Sequence, residues 1–132
     1  MPQLQNAVLQ DRAATPANHT FVPRDIVDGV GTVVESTGVP IGDSRMTVSL
    51  KKTASGAYKA RVQLTRPVVE SSVVNGVTIP TITRQAIADV NFSFASTSTE
   101  QERKDLVGMI QSALAPTNIL INDTVVKLQG VY

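Results

Sequence analysis

Cysteine and tryptophan are absent from the 132 residues, and histidine occurs once. Without cysteine there are no disulfide scaffolds, no thiol catalysis and no cysteine-based zinc sites. A Ser-His-Asp triad would have to use His19, the only imidazole. Aromatic residues are scarce, at 4%: Phe21, Tyr58, Phe92, Phe94 and Tyr132. A domain of this length buries roughly two-thirds of its unfolded-chain surface, so Val, Ile, Leu and Ala must carry that burial, and association between chains would add to it. No apolar run approaches the roughly 18 residues of a membrane-spanning helix. The N-terminal Met1-Pro2-Gln3-Leu4-Gln5-Asn6 lacks the basic residues and apolar stretch of a secretory signal. A cytosolic site of synthesis and no membrane partner are therefore expected.

Catalytic patterns are missing too. There is no Walker loop, GxGxxG or HExxH, and Asp25, Asp28, Glu35 and Asp43 are spaced so that no two carboxylates pair. His19 falls in an expected turn, where a surface role outweighs that of a base. No catalytic residue, metal site, cofactor or small-molecule substrate is expected.

With 42% hydrophobic and 17% charged residues, the chain should fold as one domain, residues 1–132. Its pattern is α+β, with β structure over 1–97 and helices over 98–132. Asn6 to Leu9 and Thr20 to Val22, separated by Thr15-Pro16-Ala17-Asn18, suggest a small N-terminal hairpin. Pro23 and Asp28-Gly29 then break the chain before a strand from Val30 to Ser36, and Gly38 to Asp43 form a turn region.

Charge is balanced in total, 12 basic against 11 acidic residues, but not in distribution. From Ser44 onward Arg45, Thr47, Ser49 and Lys51 alternate with Met46, Val48 and Leu50. After Thr53-Ala54-Ser55-Gly56, Lys59, Arg61, Gln63 and Thr65 alternate with Tyr58, Ala60, Val62 and Leu64. A period of two on both sides of a short turn predicts an antiparallel hairpin with one polar and one apolar face. Six of the twelve basic residues lie between Arg45 and Arg66, a span without Asp or Glu. Such a face can simply keep an open sheet soluble. It also suits nucleic acid, with Lys and Arg neutralising phosphates and hydroxyls and amides reaching bases or sugars.

A loop is expected from Pro67 to Pro80, with Asn75-Gly76 as its turn, and a long strand from Thr81 to Phe94, its apolar face interrupted by Arg84. Thr99 and Glu102 form a capping-box pattern, followed by Leu106, Val107, Ile110 and Leu114 at helical spacing. Pro116 ends that helix. Thr117 or Asn118 can cap a second, from Ile119 to Leu128, apolar around so much of its circumference that subunit contact is the natural cover.

Thr83-Arg84-Gln85-Ala86-Ile87-Ala88-Asp89-Val90-Asn91-Phe92-Ser93-Phe94 and Ser98-Thr99-Glu100-Gln101-Glu102-Arg103 resemble the last strand and first helix of single-stranded RNA bacteriophage (levivirus) coat proteins, those of the Q-beta-like group in particular. The resemblance extends through Phe21-Val22-Pro23-Arg24-Asp25 and Val34-Glu35-Ser36-Thr37-Gly38-Val39-Pro40 to Leu128-Gln129-Gly130-Val131-Tyr132. It implies an N-terminal hairpin, an antiparallel sheet and two C-terminal helices, interlocked with a second copy into a dimer with a continuous sheet. Dimers would build an icosahedral shell around single-stranded genomic RNA, assembled in the bacterial cytoplasm and carried in the virion. The inward face would also bind an RNA stem-loop and repress translation of the replicase.

The resemblance further implies RNA-binding positions. Val30, Thr47, Ser49, Lys59 and Arg61 match an adenine pocket: Lys59 stands where some members carry Thr, and Arg61 where Lys is common. Arg45, Lys51 and Gln63 match flanking contacts, and Asp89 an acidic or amide position in the last strand. Ile87 departs from the pattern, replacing a Tyr that stacks on a loop base, a contact worth about 1–3 kcal/mol. The loop at 67–80 would surround the shell's symmetry axes, held here without the disulfides of some members. Two rivals remain: a dimeric cytosolic RNA-binding regulator that forms no particle, and a small hydrolase using His19.

Overall fold

The computed structural model describes residues 3–36 and 40–132. In chain order it contains β1 (Ala7–Gln10), β2 (Asn18–Val27), β3 (Val30–Glu35), a 3₁₀ turn (Pro40–Gly42), β4 (Ser44–Lys52), β5 (Tyr58–Val74), β6 (Val77–Phe94), α1 (Glu100–Ala113) and α2 (Ile119–Val125). The strands form one six-stranded sheet in sequential order. The α+β class, the N-terminal hairpin and the two C-terminal helices are as expected. Of the turn expected over Gly38 to Asp43, residues 38 and 39 lie outside the described residues.

Turn chemistry sets the connections. Asp28 and Gly29 have φ +52° and +76°, and Asn75 and Gly76 +51° and +79°. Positive φ at both central residues is the type I′ geometry whose twist matches an antiparallel hairpin, and Asx-Gly is the sequence best able to adopt it. The β4–β5 turn closes through Thr53 N–H to the Ala57 carbonyl at 2.7 Å and Gly56 N–H to the Thr53 carbonyl at 2.9 Å.

Two expectations about the strands need correction. Residues 67–80 are not a loop: β5 runs on to Val74 and β6 begins at Val77. The segment is rich in Val and Thr, which favour the extended backbone, and the two-residue Asn75-Gly76 turn leaves every other position free to be strand. Pro67 and Pro80 do not stop this, because the fixed φ of proline is compatible with extended chain. Nor does Pro23 break the chain. β2 passes through it with a register shift between Pro23 and Asp25 that absorbs the missing N–H.

By its contacts the chain divides into two units, Met1–Ser93 and Phe94–Tyr132. In the first, Phe21 and Val33 are the buried apolar side chains among the described residues. Val33 opposes Met46, which opposes Leu64, while Gly31 opposes Val48 and Val48 opposes Val62. Directly opposed residues point to the same side, so these make the apolar face. Leu4 covers Gly31 so closely that an added Cβ would stand 2.9 Å from Leu4 Cδ1. Further along the same face cover runs out, and Leu50 is 64% exposed.

In the second unit, α1 starts on the expected capping box: Glu102 N–H donates to Thr99 Oγ1 at 3.2 Å, and Thr99 N–H to Glu102 Oε2 at 3.2 Å. Its apolar stripe, Leu106, Val107, Ile110 and Leu114, is exposed. The second helix is shorter than expected, ending at Val125 rather than Leu128. Leu128 takes a left-handed φ of +57°, and Gln129 N–H turns back to the Asp123 carbonyl at 3.1 Å. Asn118 caps α2 by position, without a side-chain hydrogen bond.

Candidate nucleic-acid interface

The face opposite Met46, Val48 and Leu64 is built by register. Val30 opposes Ser49, and Ser49 opposes Arg61; Thr32 opposes Thr47, and Thr47 opposes Gln63. Val34, Arg45 and Thr65 form a third row, and Lys51 opposes Lys59 at the end nearest the turn. Eight of the residues singled out in the sequence, Val30, Arg45, Thr47, Ser49, Lys51, Lys59, Arg61 and Gln63, thus share one face of three adjacent strands. Thr32 belongs with them and was not singled out. Its alternation with Val30 and Val34 carried the signal, but those apolar neighbours on the same face do not mark that face as polar.

The basic patch is narrower than the count of six suggested. Alternation sends Lys52 and Arg66 to the other face: Lys52 Nζ lies 5.8 Å from the Tyr58 ring centroid, and Arg66 lines a recess with Phe21 and Leu64. Four cations remain. Of these Arg61 is committed, donating from Nε to Asp89 Oδ1 at 2.9 Å and from its terminal nitrogen to Oδ2 at 2.6 Å. This two-point, charge-assisted pair holds the Asp89 carboxyl below its ordinary value, chiefly through the hydrogen bonds from Arg61. It also ties β5 to β6 on this face. Asn91 adds a 3.3 Å bond from Nδ2 to Asp89 Oδ1. Ile87 is exposed on β6.

Arg45, Lys51 and Lys59 make no ion pair among the described residues, whereas Arg24, Arg61, Arg84, Lys104 and Lys127 do. Lys51 and Lys59 are directly opposed, an arrangement that weakens a sheet unless an anion lies between the charges. Thr47 and Ser49 are half-buried, in the two rows between the Lys51–Lys59 pair and Arg45. The surface as a whole offers ammonium and guanidinium groups for phosphate, with hydroxyl and amide groups for bases or sugars.

His19 is not in a turn, as expected, but in β2, with Asp11 on one side and Glu35 on the other. Its two nitrogens point to carboxylates on opposite edges of the ring, so the three groups do not converge on a point where a metal could sit. No cluster suited to a metal occurs among the described residues, and none of their helices is long and apolar enough to cross a membrane.

The family model for levivirus coat proteins matches residues 2–132. The chain is 56% identical to the capsid protein of Pseudomonas phage PRR1 over 98% of its length and 99% of that protein's. It is 33% identical to the capsid protein of Escherichia virus Qbeta over 97% of its length and 87% of that protein's. Among solved structures, the virus-like particle of bacteriophage ESE058 superposes with a TM-score of 0.88 at 27% identity, covering 99% of this chain and all of the other. The matches in sequence and in fold span almost the whole chain, and the chain belongs to the levivirus coat protein family, whose members are capsid components of the virion.

Proposed function

We propose that this chain assembles as homodimers into an icosahedral shell around single-stranded genomic RNA, with the polar face of β3, β4 and β5 turned toward the RNA. Val30, Arg45, Thr47, Ser49, Lys51, Lys59, Arg61, Gln63, Ile87 and Asp89 are its RNA-binding residues. The observation that carries the RNA reading is the unpaired opposition of Lys51 and Lys59, with Arg45 on the same face. A phosphate backbone is the polyanion that offsets such a repulsion. Bound there, a stem-loop would also serve as the signal for translational repression of the replicase.

Two observations support the dimer as the completed domain of residues 1–132. β6 ends the strand order, so an 18-residue strand has one backbone edge without a strand partner among the described residues. Such an edge recruits a second strand, and a second β6 would make the sheet continuous. Apolar surface is open on both units, at Val48 and Leu50 in one and at Met109, Ile119 and Leu120 in the other, and partner helices over partner sheets would cover it. No catalysis is proposed: both His19 nitrogens are taken by carboxylates, and no nucleophile is among their partners.

Expression of the chain alone in bacteria, followed by size-exclusion chromatography with ultraviolet spectra, tests this reading. With no Trp and two Tyr, packaged RNA dominates the absorbance. A very large species absorbing strongly at 260 nm, spherical by electron microscopy, is the expected result. A dimer free of nucleic acid would favour the RNA-binding regulator instead.

A further inference from the structure

Beyond the backbone ladder that pairs Val22 with Val34 through Val27 with Val30, one side chain ties the start of β2 and the β1–β2 connection to the end of β3. His19 Nε2 lies 2.7 Å from Asp11 Oδ2, and Nδ1 lies 2.6 Å from Glu35 Oε2. Asp11 belongs to the β1–β2 connection and Glu35 to the end of β3, so the imidazole links three segments distant in sequence. Asp11 also accepts from the Ala13 and Ala17 backbone N–H groups at 3.2 and 3.0 Å. Those donors stabilise its ionised form and, with His19, hold its pKa at about 2.

A neutral imidazole carries one N–H, whereas an ionised carboxylate can only accept. Two nitrogens at hydrogen-bond distance from two carboxylate oxygens therefore require both to be protonated. From these distances we infer that His19 is an imidazolium clamp that fastens the N-terminal hairpin to β3 and releases it when the imidazolium loses a proton to solvent. On release, one ring nitrogen presents a lone pair to a carboxylate less than 3 Å away, and like partial charges part the two. The other charged group facing the recess is Arg66, from β5, which lines it with His19, Asp11, Leu9 and Phe21. Without its proton the His19 ring would lie between two carboxylates with no charge to offset theirs, so the clamp favours the charged ring. Its His19 pKa is raised, first by the hydrogen bond to Asp11 and then by that to Glu35.

The inference concerns the chain alone and stands whether or not the chain packages RNA. As the only histidine, His19 can be titrated without ambiguity by exchange of its ring C2 hydrogen, read by mass spectrometry in the assembled protein. Backbone amide exchange over 7–10 and 18–22, corrected for the chemical rate, is followed over the same pH series. The expected result is a His19 midpoint above the ordinary 6.5 and a several-fold loss of hairpin protection as pH rises through that midpoint. Glu35→Gln should lower the midpoint, and His19→Gln should abolish the loss of protection as pH rises through the unaltered chain's midpoint. A midpoint at or below 6.5, or flat protection across the midpoint in the unaltered chain, would overturn the clamp. If His19→Gln does not fold, the Glu35→Gln shift decides alone.

Discussion

Lys51 and Lys59 face each other across β4 and β5 with no ion-pair partner among the described residues, while Arg61 on the same face is held by Asp89 at two points. These cations should not contribute equally. Lys59→Glu should weaken RNA binding more than Arg61→Glu and leave dimer formation nearly unchanged, as read by filter binding and sizing. Equal loss of binding and of dimer would make the face structural. Affinity should fall steeply with salt, and replacing Lys51 or Lys59 by Ala should reduce the slope of log K against log salt by about 0.7 for each phosphate left without its cation. Ile87 is 56% exposed, so Ile87→Tyr adds a ring without disturbing a core. If a stem-loop base reaches that position, binding should tighten by about 1–3 kcal/mol; an unchanged Kd would remove stacking from the mechanism. Alternation showed the polar face in the sequence. The ion pair that splits its cations into free and committed did not, because Arg61 and Asp89 are 28 residues apart.

At the scale of elements, turns and caps determine where strands and helices start and stop. Both bonds of the Thr99–Glu102 box are present, and Thr99→Ala should cost about 1 kcal/mol, measured as a lower denaturant midpoint with unchanged m-value. The N-terminal hairpin depends on ionisation at both ends of the pH scale. Asp11, with its pKa lowered from 3.8 to about 2, contributes stability present above 3.8 and lost as pH falls toward 2. His19 is raised, so its contribution is complete below 6.5 and lost as pH climbs past its folded value. Amide protection of β1 and β2 should therefore peak between the two losses, and Asp11→Asn should abolish the acid limb. The Thr99 box was legible because its partners are three residues apart. The strands at 67–80 were not, because Pro67, Pro80 and Asn75-Gly76 are equally at home in a loop, and β-strand character depends on a partner across the turn.

At the scale of the whole molecule, apolar surface lies open in each of the two units. Leu50 in the sheet and Leu120 in α2 are both more than 60% exposed, as is expected of a chain whose folding is completed by association. Its stability should depend on protein concentration once particles are dissociated to dimers or below. Without cysteine, any shell is held non-covalently, so its melting temperature should be the same with and without a thiol reductant.

Periodicity and turn chemistry alone determined the α+β class, the basic hairpin and its polar face, and the capped helix, because each depends on residues close in the chain. The tertiary structure decided which cations are free, where β5 and β6 meet, and what His19 does. Arg61–Asp89 and Asp11–His19–Glu35 join residues brought together by strand register, and no local pattern encodes the approach of one strand's side chain to another's.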